Sequence, residues 1–145
     1  MTEPIAPPLT PEQLLAGMPY ATALGMRVEA AGPELVRGHL DWAAGLCTVG
    51  GVLHGGALMT LADSLGAICA FLNLPAGAGT STLESKSNLF RAVRAGRVEG
   101  TAAPLHVGRT VIVVQTDLRD ADGRRVAQVT QTQAVLTQAV LTGRG

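Results

Sequence analysis

The sequence predicts an α+β fold in which one long apolar helix is wrapped by antiparallel strands. Three observations lead there. Residues 54–72 carry Leu58, Leu61, Leu65, Ile68 and Leu72 at three- and four-residue steps, a continuous stripe for a sheet to cover. The run "VIVVQTDL" reads as a strand, and "DADG" at 120–123 turns it back into "RRVAQVTQTQAVL". The candidate strands are grouped after the helix instead of alternating with helices, which favours α+β over a doubly wound sheet.

The elements follow in order. Residues 1–9 are Pro-rich and expected to be loose. A single domain spans 10–141, long enough for one core, and 142–145 form a tail. Thr10, Pro11 and Gln13 match an N-cap, a proline at the first helical position and a capping-box glutamine, so a short helix should end by Gly17 and Pro19. Segments 26–30 and 34–42 flank the turn "AGPE", and the second alternates as a strand does. Four strand segments near 80–92, 97–105, 109–119 and 125–136 should form an antiparallel meander; 81–90 is polar at many positions and gives the weakest pattern. "TQAVL" at 132–136 is repeated at once at 137–141. An odd step turns the second copy's side chains to the opposite faces, so the first copy ends the strand and the second is an extension or edge.

Charge and composition remove several function classes. Lys plus Arg (11) equals Asp plus Glu (11), which offers no field for nucleic acid or an anionic membrane. The aromatic residues are Phe71, Phe90, Tyr20 and Trp42, too few for base-stacking platforms. Cys47 and Cys69 lack metal-ligand spacing and lie in apolar surroundings, so both are expected to be buried free thiols in a reducing compartment. His39, His54 and His106 are scattered, and no metal or cofactor is expected. The first residues lack a basic region followed by an apolar run, and the apolar stretch at 57–72 is short for a membrane span. A cytoplasmic protein is expected.

One charge stands out. Asp63 is the only charged side chain within 57–72, in line with the mostly small residues Gly56, Met59, Thr60, Gly66, Ala67 and Ala70. An ordinary helical carboxylate pairs with an arginine or faces water. Burying one unpaired costs several kcal/mol, so this position needs a partner or a purpose. The helix opens with "HGG" at 54–56, whose backbone N–H groups suit the negative charge that develops during acyl transfer.

The run G-x-x-HGG-x-x-x-x-L-A-D at 51–63 resembles the hotdog-fold acyl-CoA thioesterases of the phenylacetic-acid-degradation type. "PYATALGMRV", "TLESKSNLFRAVRAG" and "GRRVAQVTQT" extend the resemblance over nearly the whole chain. It implies one helix wrapped by a curved antiparallel sheet, an acyl-CoA substrate, and a homodimer that assembles as a dimer of dimers. Asp63 would be the catalytic carboxylate, as general base or nucleophile, and Gly55 the oxyanion-hole donor. His54 and Gly56 would belong to the substrate site, His54 as a residue fixing the loop more than as a base. Ser81 or Thr82 would supply a hydroxyl near the carboxylate. Six residues before the histidine, related enzymes commonly carry Asn or Gln; this chain has Thr48, whose hydroxyl has a shorter reach.

Spacing adds a constraint. Gly55 and Asp63 are eight residues apart, about 12 Å along a helix. Acid–base and nucleophilic groups act within roughly 3 Å, so one helix cannot bring both to one carbonyl. A site shared between two subunits satisfies the spacing. Arg91, Arg94 and Arg97 cluster after the first post-helix strand, and Arg109 opens a later one; Arg91 and Arg109 are the candidates for the phosphates of coenzyme A. Two rival readings are a hotdog dehydratase and a non-catalytic acyl-CoA-binding protein. The first would want a histidine and a carboxylate at another spacing, and the second would need no carboxylate.

Overall fold

A computed structural model describes residues 7–137 and Gly143. The start of the loose N-terminal segment (1–6), the second TQAVL copy beyond Thr137, and the tail apart from Gly143 lie outside the described residues. Thr137 itself follows the last strand.

Helix α1 (Pro11–Ala16) begins as its sequence dictates: Thr10 accepts from the Gln13 N–H, and the Gln13 side chain accepts from the Thr10 N–H at 2.8 Å. Gly17 ends it, and Pro19 opens a second short helix, α2 (Pro19–Ala23), which the sequence reading did not anticipate. Strands β1 (Arg27–Ala31) and β2 (Val36–Asp41) precede α3 (Gly55–Phe71), which is followed by β3 (Gly79–Leu89), β4 (Arg97–Val107), β5 (Val111–Arg119) and β6 (Arg125–Leu136). All six strands form one antiparallel sheet in the order β1-β2-β4-β5-β6-β3, curved around α3. This is the hotdog arrangement.

The expected four-strand meander holds only for β4, β5 and β6. β3 pairs with β6 at the far edge, and β4 lies beside β2. A contact with the helix shows why β4 fits there. Gly38 of β2 and Gly100 of β4 are direct register partners, and Leu65 of α3 sits on the bare backbone between them. A Cβ on Gly100 would lie 2.5 Å from Leu65 Cδ1, and one on Gly38 would lie 2.8 Å from Leu65 Cδ2.

Leu58, Leu61, Leu65 and Ile68 are buried against Val36, Leu40, Val98, Ile112, Val114 and Leu118. Each such side chain contributes about 1.5–3 kcal/mol on burial. Leu72 caps the helix and is only partly buried. The small-residue face divides: Gly66 and Ala70 lie under the sheet, while Gly56, Met59, Thr60, Asp63 and Ala67 stay at least partly open.

Cys69 is fully buried, and burial pushes its thiol up to about 11. Cys47, expected to be buried, is only half so. It sits in the loop before α3, where its Sγ donates to the Ala43 carbonyl at 3.3 Å. Among the described residues no helix is long and apolar enough to cross a membrane.

Candidate active site

The start of α3 sorts its N–H groups. His54 is the N-cap, in an extended conformation, and its Nδ1 accepts the Gly56 N–H at 2.8 Å. In the neutral ring the proton is therefore on Nε2. The His54 carbonyl accepts from Ala57 and Leu58 at 2.9 and 3.3 Å. The Gly55 N–H has no acceptor among the described residues, which leaves it a free donor at the positive end of the helix.

The loop leading into α3 is held rigidly. Cys47 and Leu53 form an isolated bridge, and the Thr48 N–H donates to the Val52 carbonyl at 2.8 Å. Between them Gly50 and Gly51 take left-handed φ values of 76° and 69°. Arg94 Nη1 donates to the Gly50 carbonyl at 2.8 Å, and Trp42 Nε1 to the Gly51 carbonyl at 3.0 Å. The arginine cluster thus splits by role. Arg94 pins this loop, Arg97 pairs with Asp41 at 2.7 Å, and Arg91 is exposed with no ion pair among the described residues.

Asp63 lies two turns further along α3 and is half-buried. No cation reaches ion-pair distance of it among the described residues. Thr82 Oγ1 donates to its Oδ1 at 3.2 Å, and Gln131 Nε2 stands 3.4 Å from both that oxygen and the Asp63 carbonyl. Its Oδ2 has no partner among the described residues. Asp63 is therefore tethered by one oxygen and open at the other.

Two clefts border the free edge strand β3. One, of about 480 Å³, is lined by Asp63, Gly56, Thr60, Ser85, Met18 and Tyr20 among others. The second, of about 360 Å³, includes Gly55, Thr48, Leu58, Leu89, Phe90 and Arg91. Within one chain the free N–H and the carboxylate open on different clefts, in keeping with their roughly 12 Å spacing along the helix.

Of the expected site residues, the structure brings Thr48 and Arg91 to Gly55, and Thr82 to Asp63. Ser81 is a correction: on β3 it is exposed and points away from Asp63, because side chains alternate and Thr82 takes the inward direction. A bulge between Thr82 and Glu84 then shifts the parity and turns Ser85 inward. Arg109 is not brought to either cleft. It lies in the β4–β5 turn, beside the Gly79 end of β3, whereas Leu89 and Arg91 mark the opposite end.

Sequence reading missed two site residues outright. Gln131 and Gln133 of β6 are fully buried against the Asp63 side of α3. A Cβ on Gly66 would overlap the Gln131 amide, so the glycine supplies its space. Gln131 Oε1 is buried without a partner among the described residues, a cost of about 1–3 kcal/mol. The signal was available: Val129 and Val135 set the inward parity of β6, and both glutamines share it.

Residues 50–127 match the thioesterase superfamily. The chain belongs to that superfamily. It is 37% identical over 86 residues to the 1,4-dihydroxy-2-naphthoyl-CoA hydrolase of Escherichia coli, covering 59% of this chain and 63% of that one. It is 32% identical over 123 residues to the proofreading thioesterase EntH of Cronobacter turicensis, covering 80% and 90%. Among solved structures, a thioesterase from Haemophilus influenzae superposes with a TM-score of 0.84 at 28% identity, covering 90% of this chain and 93% of that one. Thioester hydrolysis is therefore the reaction class of this thioesterase.

Proposed function

We propose that this thioesterase hydrolyses acyl-CoA esters in the cytoplasm, at sites that pair Asp63 of one subunit with the Gly55 N–H of another. The observation that carries the reading is the division of an unpaired carboxylate and a free N–H donor between two clefts of one chain. The E. coli relative, a hydrolase of an aryl-CoA ester, supports coenzyme A as the leaving group.

The free edge of β3 supplies a way to join the clefts. Ser85 borders the Asp63 cleft and Leu89 the Gly55 cleft. Antiparallel pairing of two β3 strands about an axis near Ser87 sets Ser85 opposite the partner subunit's Leu89. The carboxylate cleft of each subunit then faces the donor cleft of the other. The strand is exposed along most of its length, with Leu83, Leu89 and, just past its end, Phe90 uncovered, a surface that such pairing would protect.

In the reaction, the Gly55 N–H donates a hydrogen bond to the thioester oxygen as negative charge builds on it. Asp63 takes a proton from attacking water, or attacks the carbonyl carbon itself to give a mixed anhydride that water then opens. Either route expels the coenzyme A thiolate. Arg91, at the mouth of the Gly55 cleft, is placed for its phosphates; Arg109 contributes only where assembly carries a neighbour's β4–β5 turn to that mouth.

Release of free thiol from a panel of aryl- and alkyl-CoA esters tests the reading. Steady turnover of at least one ester is expected; tight binding without thiol release would leave a binding protein. A single turnover in heavy-oxygen water tests the covalent route, since acid product free of label requires attack by the carboxylate.

Thr48 carries a prediction of its own. Its hydroxyl shares the Gly55 cleft and substitutes for a longer amide. Thr48→Asn should hold or raise the rate, while Thr48→Val should lose about 1–3 kcal/mol of transition-state binding. Equal rates in all three forms would show that this position never touches the reacting group.

A further inference from the structure

We infer that Gln133 is a positioning residue that acts on Asp63 through Thr82. This rests on the reading of Asp63 as the catalytic carboxylate. Gln133 is fully buried on β6, its Nε2 lies 2.7 Å from Thr82 Oγ1, and Thr82 Oγ1 lies 3.2 Å from Asp63 Oδ1. Behind it, Thr80 Oγ1 stands 3.1 Å from Gln133 Oε1 and 2.8 Å from the Ala134 carbonyl.

Proton counting gives this row a direction. A hydroxyl owns one proton, and a carboxylate only accepts. The Thr82 proton must therefore lie on the Asp63 side, which leaves its oxygen free to accept. Gln133 satisfies that oxygen because its NH2 group can only donate. A carboxylate or carbonyl at this position would draw the Thr82 proton away and leave two oxygens facing each other without one. The buried amide thus sets the hydroxyl, and the hydroxyl ties down Oδ1. Oδ2 is the oxygen left for chemistry.

The pathway crosses three elements. Gln133 on β6 is the register partner of Thr82 on β3, and Asp63 meets them from α3. A buried amide between two strands is a costly way to fill space, since it must find partners for every polar atom. Here the NH2 end is used by Thr82, the Oε1 end shares the single Thr80 proton with the Ala134 carbonyl, and the row ends on the one charged side chain of the helix. Gln131 approaches the same oxygen at 3.4 Å, against 3.2 Å for Thr82, so the closer contact, through Thr82, is the one taken to aim it.

The test is a double-mutant cycle on kcat and KM, read by thiol release from the acyl-CoA ester that the unmodified protein hydrolyses fastest. Thr82→Val and Gln133→Leu should each lower kcat about ten- to a hundredfold with KM little changed, as displacement of a reacting group by a fraction of an ångström does. Thr82→Ser, which keeps the donor, should stay near the unmodified rate. Gln133→Leu should cost nothing further once Thr82 is valine, because the amide then has no hydroxyl to orient. Additive losses, or a Thr82→Val protein with unaltered kcat, would overturn the inference. Should Gln133→Leu fail to fold, Gln133→Met, which also lacks the amide, takes its place in the cycle, and unaltered kcat in a folded Gln133 variant would likewise overturn the inference. Asp63→Asn runs alongside. Full activity there would remove the catalytic reading and this inference with it, whereas an inactive Asp63→Asn beside an unaffected Thr82→Val would remove the inference alone.

Discussion

Asp63→Asn is expected to give a folded protein whose thioester turnover is lower by on the order of a hundredfold or more. Folding should survive because the amide matches the carboxylate in shape. Its oxygen can still accept from Thr82 and Gln131, and its NH2 group replaces Oδ2, which has no partner among the described residues. What disappears is the capacity to take a proton or attack a carbonyl. His54→Ala should cost less: it removes a cap from the Gly56 N–H, worth about 1 kcal/mol of helix stability, and leaves the carboxylate in place. Thiol release by the two variants, with helix content and melting temperature as controls, checks both. An Asp63→Asn protein at full rate on every accepted ester would end the catalytic assignment.

Complementation should restore activity between two dead variants. Gly55→Pro deletes the free N–H, and the local backbone accepts it. Position 55 is the first of the helix, where proline is favoured, and His54 at ψ 136° already has the extended conformation required before proline. A Cβ at this position meets the tip of Leu89, which is half exposed and free to swing. Mixed with Asp63→Asn and allowed to exchange subunits at random, about half of the dimers become mixed, each with one complete site. Activity should climb towards about a quarter of the unmodified protein's. Verified mixed dimers as inactive as their parents would mean that Gly55 and Asp63 do not meet across an interface, or that Gly55 takes no part.

Much of this was legible in the chain, and the exceptions share a cause. The α3 stripe, the first-turn cap at Thr10 and the β5–β6 hairpin could be read because each is a local pattern tied to a short-range bond. The long-range order of the sheet could not. That β4 lies beside β2 depends on Gly38 meeting Gly100, two residues whose message is a missing side chain. β3 gave a weak pattern because its helix-facing residues, Thr80, Thr82 and Ser85, are polar, and a bulge interrupts their alternation. Spacing along the helix foretold that Gly55 and Asp63 occupy separate clefts. The glutamines behind Asp63 went unread since polar residues on a strand are ordinarily assigned to water.

The contact between Leu65 and the two bare glycines works as an angular index for α3. Successive helical residues are offset by about 100°, so Asp63, two positions before Leu65, points some 200° away from it. With Leu65 seated in the notch between β2 and β4, Asp63 is turned to the side that the sheet leaves open. A tenth of a turn about the helix axis would carry the Asp63 Cα about 1.4 Å sideways, on a radius of about 2.3 Å. Displacements near 1 Å already cost reactions of this kind on the order of a hundredfold. The aim of the carboxylate is thus calibrated from the opposite side of the helix, by two side chains the protein does without.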